Sequence, residues 1–286
     1  MNNPQIRLNK FLAERLGASR READDLIVAG KVTVDGQTAV LGTKIDDKSK
    51  VFYNKKLIPF ETKYVYLAFN KPVGYVCSRR AQGPAPTLYN LLPTKYQKLK
   101  TVGRLDKDSS GLILLTNDGD FAFQMTHPKF RKTKVYEVEL NKPLKPLHQQ
   151  MISDYGVLLD DGPSKFTVIK KEDKMGDSRA FATTGVSDEA SPVTTEQLRE
   201  RKASSLAFPS QAARPLKTGA SEEAREAPIL PSYIAILTEG RNRQIRRTFA
   251  ALGYRVVKLH RTHFGKYELG HLKSGKYDII EPWALF

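Results

Sequence analysis

Cys77 is the only cysteine in the 286-residue chain. This excludes an intrachain disulfide and any zinc site built from a cysteine cluster, and it fits a reducing, cytoplasmic setting. No apolar run approaches the ~18–20 residues of a membrane span. The longest, Gly111-Leu-Ile-Leu-Leu115, stops at Thr116. The opening Met1-Asn-Asn-Pro-Gln-Ile-Arg7 lacks the apolar centre of a secretory signal. There is no Walker loop and no dinucleotide fingerprint, so no ATP, NAD or other cofactor is expected. The histidines (His127, His148, His260, His263 and His271) lack metal-ligand spacing with acidic partners. His260-x-x-His263 is without the glutamate of a zinc helix, so it reads as surface or RNA-facing, and no metal is expected. Acidic residues are scarce as well, 31 against 47 Lys and Arg, leaving a net charge of +16. That excess asks for a polyanion, most often nucleic acid, although a basic ribosome-associated scaffold would share it.

What is present is enough for a folded core: 40% of residues are hydrophobic and 9% aromatic. The length fits two domains. In the first, residues 1–62, Ile6, Leu8, Phe11, Leu12 and Leu16 recur near helical spacing, and Gly17 is a good helix stop. Ser19-Arg-Arg-Glu22 reads as a capping box for a second helix ending at Gly30. Asp35-Gly36 is the preferred pair for a two-residue hairpin turn. Arg7, Lys10, Arg15, Arg20, Arg21 and Lys31 remain for the surface. In the second domain, residues 63–286, strands are expected at Tyr64–Phe69, Gly111–Leu115, Val135–Leu140 and Tyr233–Leu237, with a helix over Asn242–Leu252. Strands without regular βαβ alternation give an α+β class with a mixed, mainly antiparallel sheet. Residues 171–228 are polar and nearly free of aromatics, and read as a disordered insertion with at most a short helix near 195–202.

The sharpest local feature is Gly103-Arg-Leu-Asp106-Lys-Asp108-Ser-Ser-Gly111. It copies the opening of a calcium loop, but the twelfth position is Asn117 rather than the closing glutamate. A carboxylate beside Arg104 and Lys107 is favoured in its charged form, which suits a nucleophile or a structural ion pair equally. Glu239-Gly-Arg241-Asn-Arg243-Gln-Ile-Arg246-Arg247 places four arginines at a helix N-terminus, against the dipole, so an anion is needed there. One of these arginines can turn inward to a buried aspartate. Lys129-Phe-Arg-Lys-Thr-Lys-Val-Tyr-Glu137 interleaves cations with aromatics, as single-strand RNA binders do.

These residues resemble the pseudouridine synthases of the RsuA/RluB type, which modify single uridines in ribosomal RNA. Gly103-Arg-Leu-Asp106-x-x-Ser-Ser-Gly111-Leu-x-Leu-Leu-Thr-Asn-Asp-Gly119 carries the likeness. Asn70-Lys-Pro-Val-Gly74, Lys134-Val-Tyr136 and the arginine stretch followed by Leu252-Gly253 support it. The first sixty residues resemble an S4 RNA-binding domain through Arg7-Leu8-x-Lys10-x-Leu12 and Ser19-Arg-Arg-Glu-Ala23. The resemblance implies that Asp106 is the catalytic aspartate, that Tyr136 contacts the base, and that Arg246 holds the aspartate in an ion pair. RNA contacts are expected from Arg7, Lys10, Arg20, Arg21, Lys31, Arg104, Arg131, Lys134, Arg241, Arg243 and Arg247. The expected partner is ribosomal RNA, the expected state a monomer, and the rival reading a non-catalytic RNA-binding or ribosome-assembly factor.

Overall fold

The computed structural model describes residues 5–61, 63–79, 83–171 and 230–282. Apart from Lys171, the expected insertion at 171–228 lies outside them, and so does the short helix expected within it. The N-terminal module runs β1 (Ile6–Arg7), α1 (Leu8–Arg15) and α2 (Arg20–Val28). Leu8, Phe11 and Leu12 form the i, i+3, i+4 stripe of α1 and share a core with Ala23 and Ile27 of α2. Gly17 adopts φ +68°, the left-handed conformation that stops α1. The capping box is formed: the Glu22 amide donates to Ser19 Oγ at 3.1 Å, and the Ser19 amide to Glu22 Oε2 at 2.6 Å.

Next, β2 (Val32–Val34) and β3 (Gln37–Thr38) make the expected hairpin, with Asp35 and Gly36 as its two positive-φ turn residues. β4 (Lys44–Ile45) pairs with β1, while β5 (Val51–Tyr53) and β6 (Lys56–Leu57) complete a sheet of order β3-β2-β5-β6. The module is tied to the rest of the chain by the Lys10–Asp120 ion pair at 2.7 Å and by Arg79, whose Nη1 donates to the Gly17 carbonyl.

The second part contains β7 (Tyr66–Lys71), β8 (Lys100–Val102), β9 (Ser110–Thr116), α3 (Gly119–Thr126), β10 (Lys134–Leu140) and α4 (Pro146–Gln150). A short hairpin of β11 (Val157–Leu159) and β12 (Gly162–Ser164) leads to β13 (Thr167–Lys170). Then come β14 (Ser232–Leu237), α5 (Gln244–Ala251), β15 (Val256–Phe264), β16 (Tyr267–Glu268) and β17 (Tyr277–Ile279). Nine of these strands build one sheet of order β13-β14-β10-β15-β9-β7-β17, with β16 on β15 and β8 on β9. Every pairing in it is antiparallel except β9 with β15, so the sheet is mixed and mainly antiparallel.

β9 is buried on both faces. Leu112 and Leu114 enter one core, Ile113 and Leu115 another, which is why its sequence is a continuous apolar run rather than an alternation. Two expected boundaries shift. The first strand starts at Tyr66 rather than Tyr64, because the Val65 amide is taken by Asn117 Oδ1 at 2.8 Å, and it runs on to pair Lys71 with Gly111. The arginine-rich helix starts at Gln244 rather than Asn242, because Arg243 has a left-handed φ of +46°. Only Arg246 and Arg247 are therefore helical.

Candidate active site

The acidic loop 103–109 enters β9 through Gly111, at φ +105°. A Cβ there would overlap the Arg261 carbonyl oxygen and lie 2.6 Å from the Arg261 amide nitrogen, so only glycine lets the loop end close against β15. Beneath the loop lies Lys71, fully buried, whose Nζ donates to the carbonyls of Ser109 at 2.7 Å and Pro72 at 2.9 Å. Burial pushes this ammonium down, while Cys77, Asp106 and Asp108 pull it back up. The loop opens onto a cleft of about 340 Å³ that Asp106, Tyr136, Lys134, Arg243 and Arg261 help to line. That is within the ~300–1,000 Å³ of small-molecule sites.

Asp106 stands one-third exposed in this cleft, with Arg243 Nη1 3.8 Å from its Oδ2. The expected Arg246–Asp106 pair is not the one formed. Arg246 turns inward as anticipated, but to Asp108: Nε lies 3.3 Å from Asp108 Oδ2, and Nη2 donates to the Asp108 carbonyl at 2.8 Å. Its Nη1 is held by the Val256 carbonyl at 2.9 Å. With both outer nitrogens fixed by main chain, the guanidinium faces the second aspartate of the loop rather than the first. Asp108 also receives the two-pronged fork of Arg243, at 3.0 and 2.9 Å. That hydrogen bonding, with Arg246 nearby, holds the Asp108 carboxyl below the usual carboxylate range.

The anion needed at the start of α5 is supplied in part by the protein itself. Arg241 pairs with Asp161 and Glu239, and Arg247 with Asp160 and Asp161, all from the β11–β12 turn or the loop before α5. Lys10 is likewise engaged by Asp120. By contrast, Arg7, Arg20, Arg21, Lys31, Arg104 and Arg131 are exposed. His260, read as surface or RNA-facing, is instead half-buried with Nδ1 2.8 Å from Ser110 Oγ, and burial lowers its pKa.

A β-bulge builds the remaining wall. Between Val135 and Tyr136 the register against β15 shifts by one, so Lys134 faces Phe264 and Tyr136 faces Arg261. Arg261 and Phe264, three residues apart, thereby share one face with Lys134 and Tyr136. The Arg261 guanidinium lies 4.7 Å from the Phe264 ring centre and 5.9 Å from that of Tyr136, with Nη1 3.5 Å from the Tyr136 hydroxyl. Sequence reasoning missed Arg261 because a bulge breaks the two-residue alternation that would have flagged it. It missed the role of Lys71 because the strand, expected to end at Phe69, runs on to Lys71. A lysine inside a strand buried on both faces was the available signal.

The chain is similar to known proteins in sequence and fold. Residues 65–251 match the family described as RNA pseudouridylate synthase, and residues 6–49 match the S4 domain. The chain is 31% identical over 282 residues to the ribosomal small subunit pseudouridine synthase A of Pasteurella multocida, covering 96% of each. It is 28% identical over 280 residues to the ribosomal large subunit pseudouridine synthase B of Bacillus subtilis, covering 96% of this chain and 92% of that one. A solved structure described as a pseudouridylate synthase superimposes with a TM-score of 0.55 at 25% identity, covering 96% of both chains. The chain belongs to the RNA pseudouridylate synthase family and carries an S4 domain ahead of the catalytic fold. Its chemistry is the isomerisation of uridine to pseudouridine.

Proposed function

We propose that this chain modifies a uridine of ribosomal RNA, with Asp106 acting on the ribose of a base extruded into the cleft. The observation that carries this is a one-third exposed Asp106 carboxylate sharing one cleft with Tyr136 and Arg243. Ribosomal RNA is favoured by the names of the relatives and by the net charge of +16. Asp106 reacts by attack at C1′ or by removing a proton towards a glycal-like species, and both routes detach uracil. Tyr136 contacts the base, and Arg243 with Arg246 keeps the acidic loop in place. Residues 1–62, through Arg7, Arg20, Arg21 and Lys31, together with Arg104 on the cleft wall and the exposed Arg131 before β10, grip phosphates. The protein works as a cytoplasmic monomer without a cofactor; among the described residues no helix is long and apolar enough to cross a membrane.

The test is tritium release from ribosomal RNA labelled at uridine C5. Wild type is expected to release tritium, and Asp106→Asn to lose release by about 10³-fold or more while still binding RNA. Release by the purified variant at the wild-type rate would remove Asp106 from the mechanism. No release by wild type from any ribosomal RNA would favour a pure RNA binder.

A further inference from the structure

Two cations line the Tyr136 side of the cleft without a carboxylate partner among the described residues. Arg261 is 2% exposed. Its Nε donates to the Leu112 carbonyl at 2.7 Å, while Nη2 is buried with no partner. Lys134 Nζ reaches only two main-chain carbonyls, of Lys132 at 3.2 Å and Glu239 at 3.4 Å, and lies 5.5 Å from the Phe264 ring centre. Burying one charge without a counter-ion is costly, and placing two on one wall adds their repulsion. A rim arginine for a phosphate does not need such an environment. A preorganised site for negative charge that exists only during the reaction does.

The isomerisation makes such a charge. When the C1′–N1 bond breaks, its electron pair stays on N1, and the free uracil is an anion with charge shared by O2 and O4. The C1′–C5 bond then forms, C5 loses its proton, and N1 gains one, so no atom or electron is left over. We infer that Lys134, backed by Arg261, forms an anion subsite that holds the uracil while it is detached from the ribose. Lys134 touches the base; Arg261 is a positioning residue that supplies charge from behind and orients the Tyr136 hydroxyl. This rests on the isomerase reading of the same cleft and makes the RNA contact expected of Lys134 from sequence a contact with the base.

Lys134 also provides a pH signature. Burial first, and then Arg261, bring its ammonium down to about 8, opposed by Glu239. The other charged or titratable groups of the cleft are Arg241 and Arg243 before α5, His127 and Lys132 before β10, Tyr136 beside it, and Arg104 and Asp106 on the acidic loop. Because the ammonium is the active form, wild-type kcat/KM should fall about tenfold between pH 7 and pH 9.

The experiment measures tritium release and RNA affinity for wild type, Lys134→Gln and Lys134→Arg on the same ribosomal RNA. Expected are a kcat at least about tenfold lower in Lys134→Gln at pH 7, with RNA affinity and its salt dependence within about twofold of wild type. Lys134→Arg should recover activity and keep it through pH 9. The inference is overturned if Lys134→Gln keeps wild-type kcat. It is equally overturned if that variant loses affinity with a salt slope shallower by about one, the mark of a phosphate contact. A falling limb near pH 8 that persists in Lys134→Arg also overturns it. Failure of wild type itself to release tritium would instead strike the isomerase reading.

Discussion

Asp106 and Asp108 are two residues apart on one loop, yet their surroundings assign them different work. Asp108 accepts the Arg243 fork and meets Arg246, so it fastens the acidic loop to α5. Among the described residues, Asp106 has only the 3.8 Å approach of Arg243 as an ion pair and stays available to a substrate. Asp106→Asn should therefore leave the melting temperature nearly unchanged. Asp108→Asn should cost about 1–2 kcal/mol, a modest figure because the site is half-exposed and screened, and lower Tm by a few degrees. The Asp108 carboxyl is held below its unfolded value, chiefly by Arg243, so its contribution is complete above about pH 4 and is lost as pH falls through the folded value. The Tm gap between wild type and Asp108→Asn should thus close when calorimetry is repeated in acid. A gap that widened in acid would contradict this division of labour. Sequence alone singled out the loop, but not which arginine meets which aspartate, because that depends on one left-handed residue, Arg243.

Among the elements, those specified by short-range chemistry were legible beforehand. The Ser19–Glu22 capping box, the Asp35-Gly36 hairpin and the stop at Gly17 each involve a few adjacent residues, and all are present. The parallel contact of β9 with β15 and the bulge opposite Tyr136 join residues more than a hundred positions apart, which no local pattern encodes. Both meet at Arg261, whose backbone packs directly on Gly111. A side chain there would strike the Arg261 backbone at a positive φ, so Gly111→Ala must move the acidic loop, the strand pair or both. The expected cost is upwards of about 2 kcal/mol, with tritium release lost beyond what the lower stability explains, since Asp106 and Arg261 shift together. Thermal melting together with activity assayed well below Tm checks this. A variant with wild-type melting and rate would show that β9 and β15 are not clamped at this point.

For the whole molecule, the charge excess is sorted by position. Arginines 241, 243 and 247, beside the cleft, are met by carboxylates of the protein, which fixes the site's shape. By contrast, Arg20 and Arg21 of the S4 domain are exposed on the first turn of α2. There the helix dipole favours acidic residues, so the double reversal Arg20→Glu, Arg21→Glu should not weaken the fold and tests binding cleanly. If both contact phosphates, each loss removes about 0.7–0.9 from the slope of log affinity against log salt. The expected result is weaker binding at low salt and a slope shallower by about 1.5, with kcat at saturating RNA unchanged because the cleft is untouched. Salt titrations of RNA binding, made with Asp106→Asn as the parent so that no turnover occurs, give the answer. An unchanged affinity and slope would mean that the start of α2 faces solvent in the complex, and that RNA is gripped from the cleft side of the molecule alone.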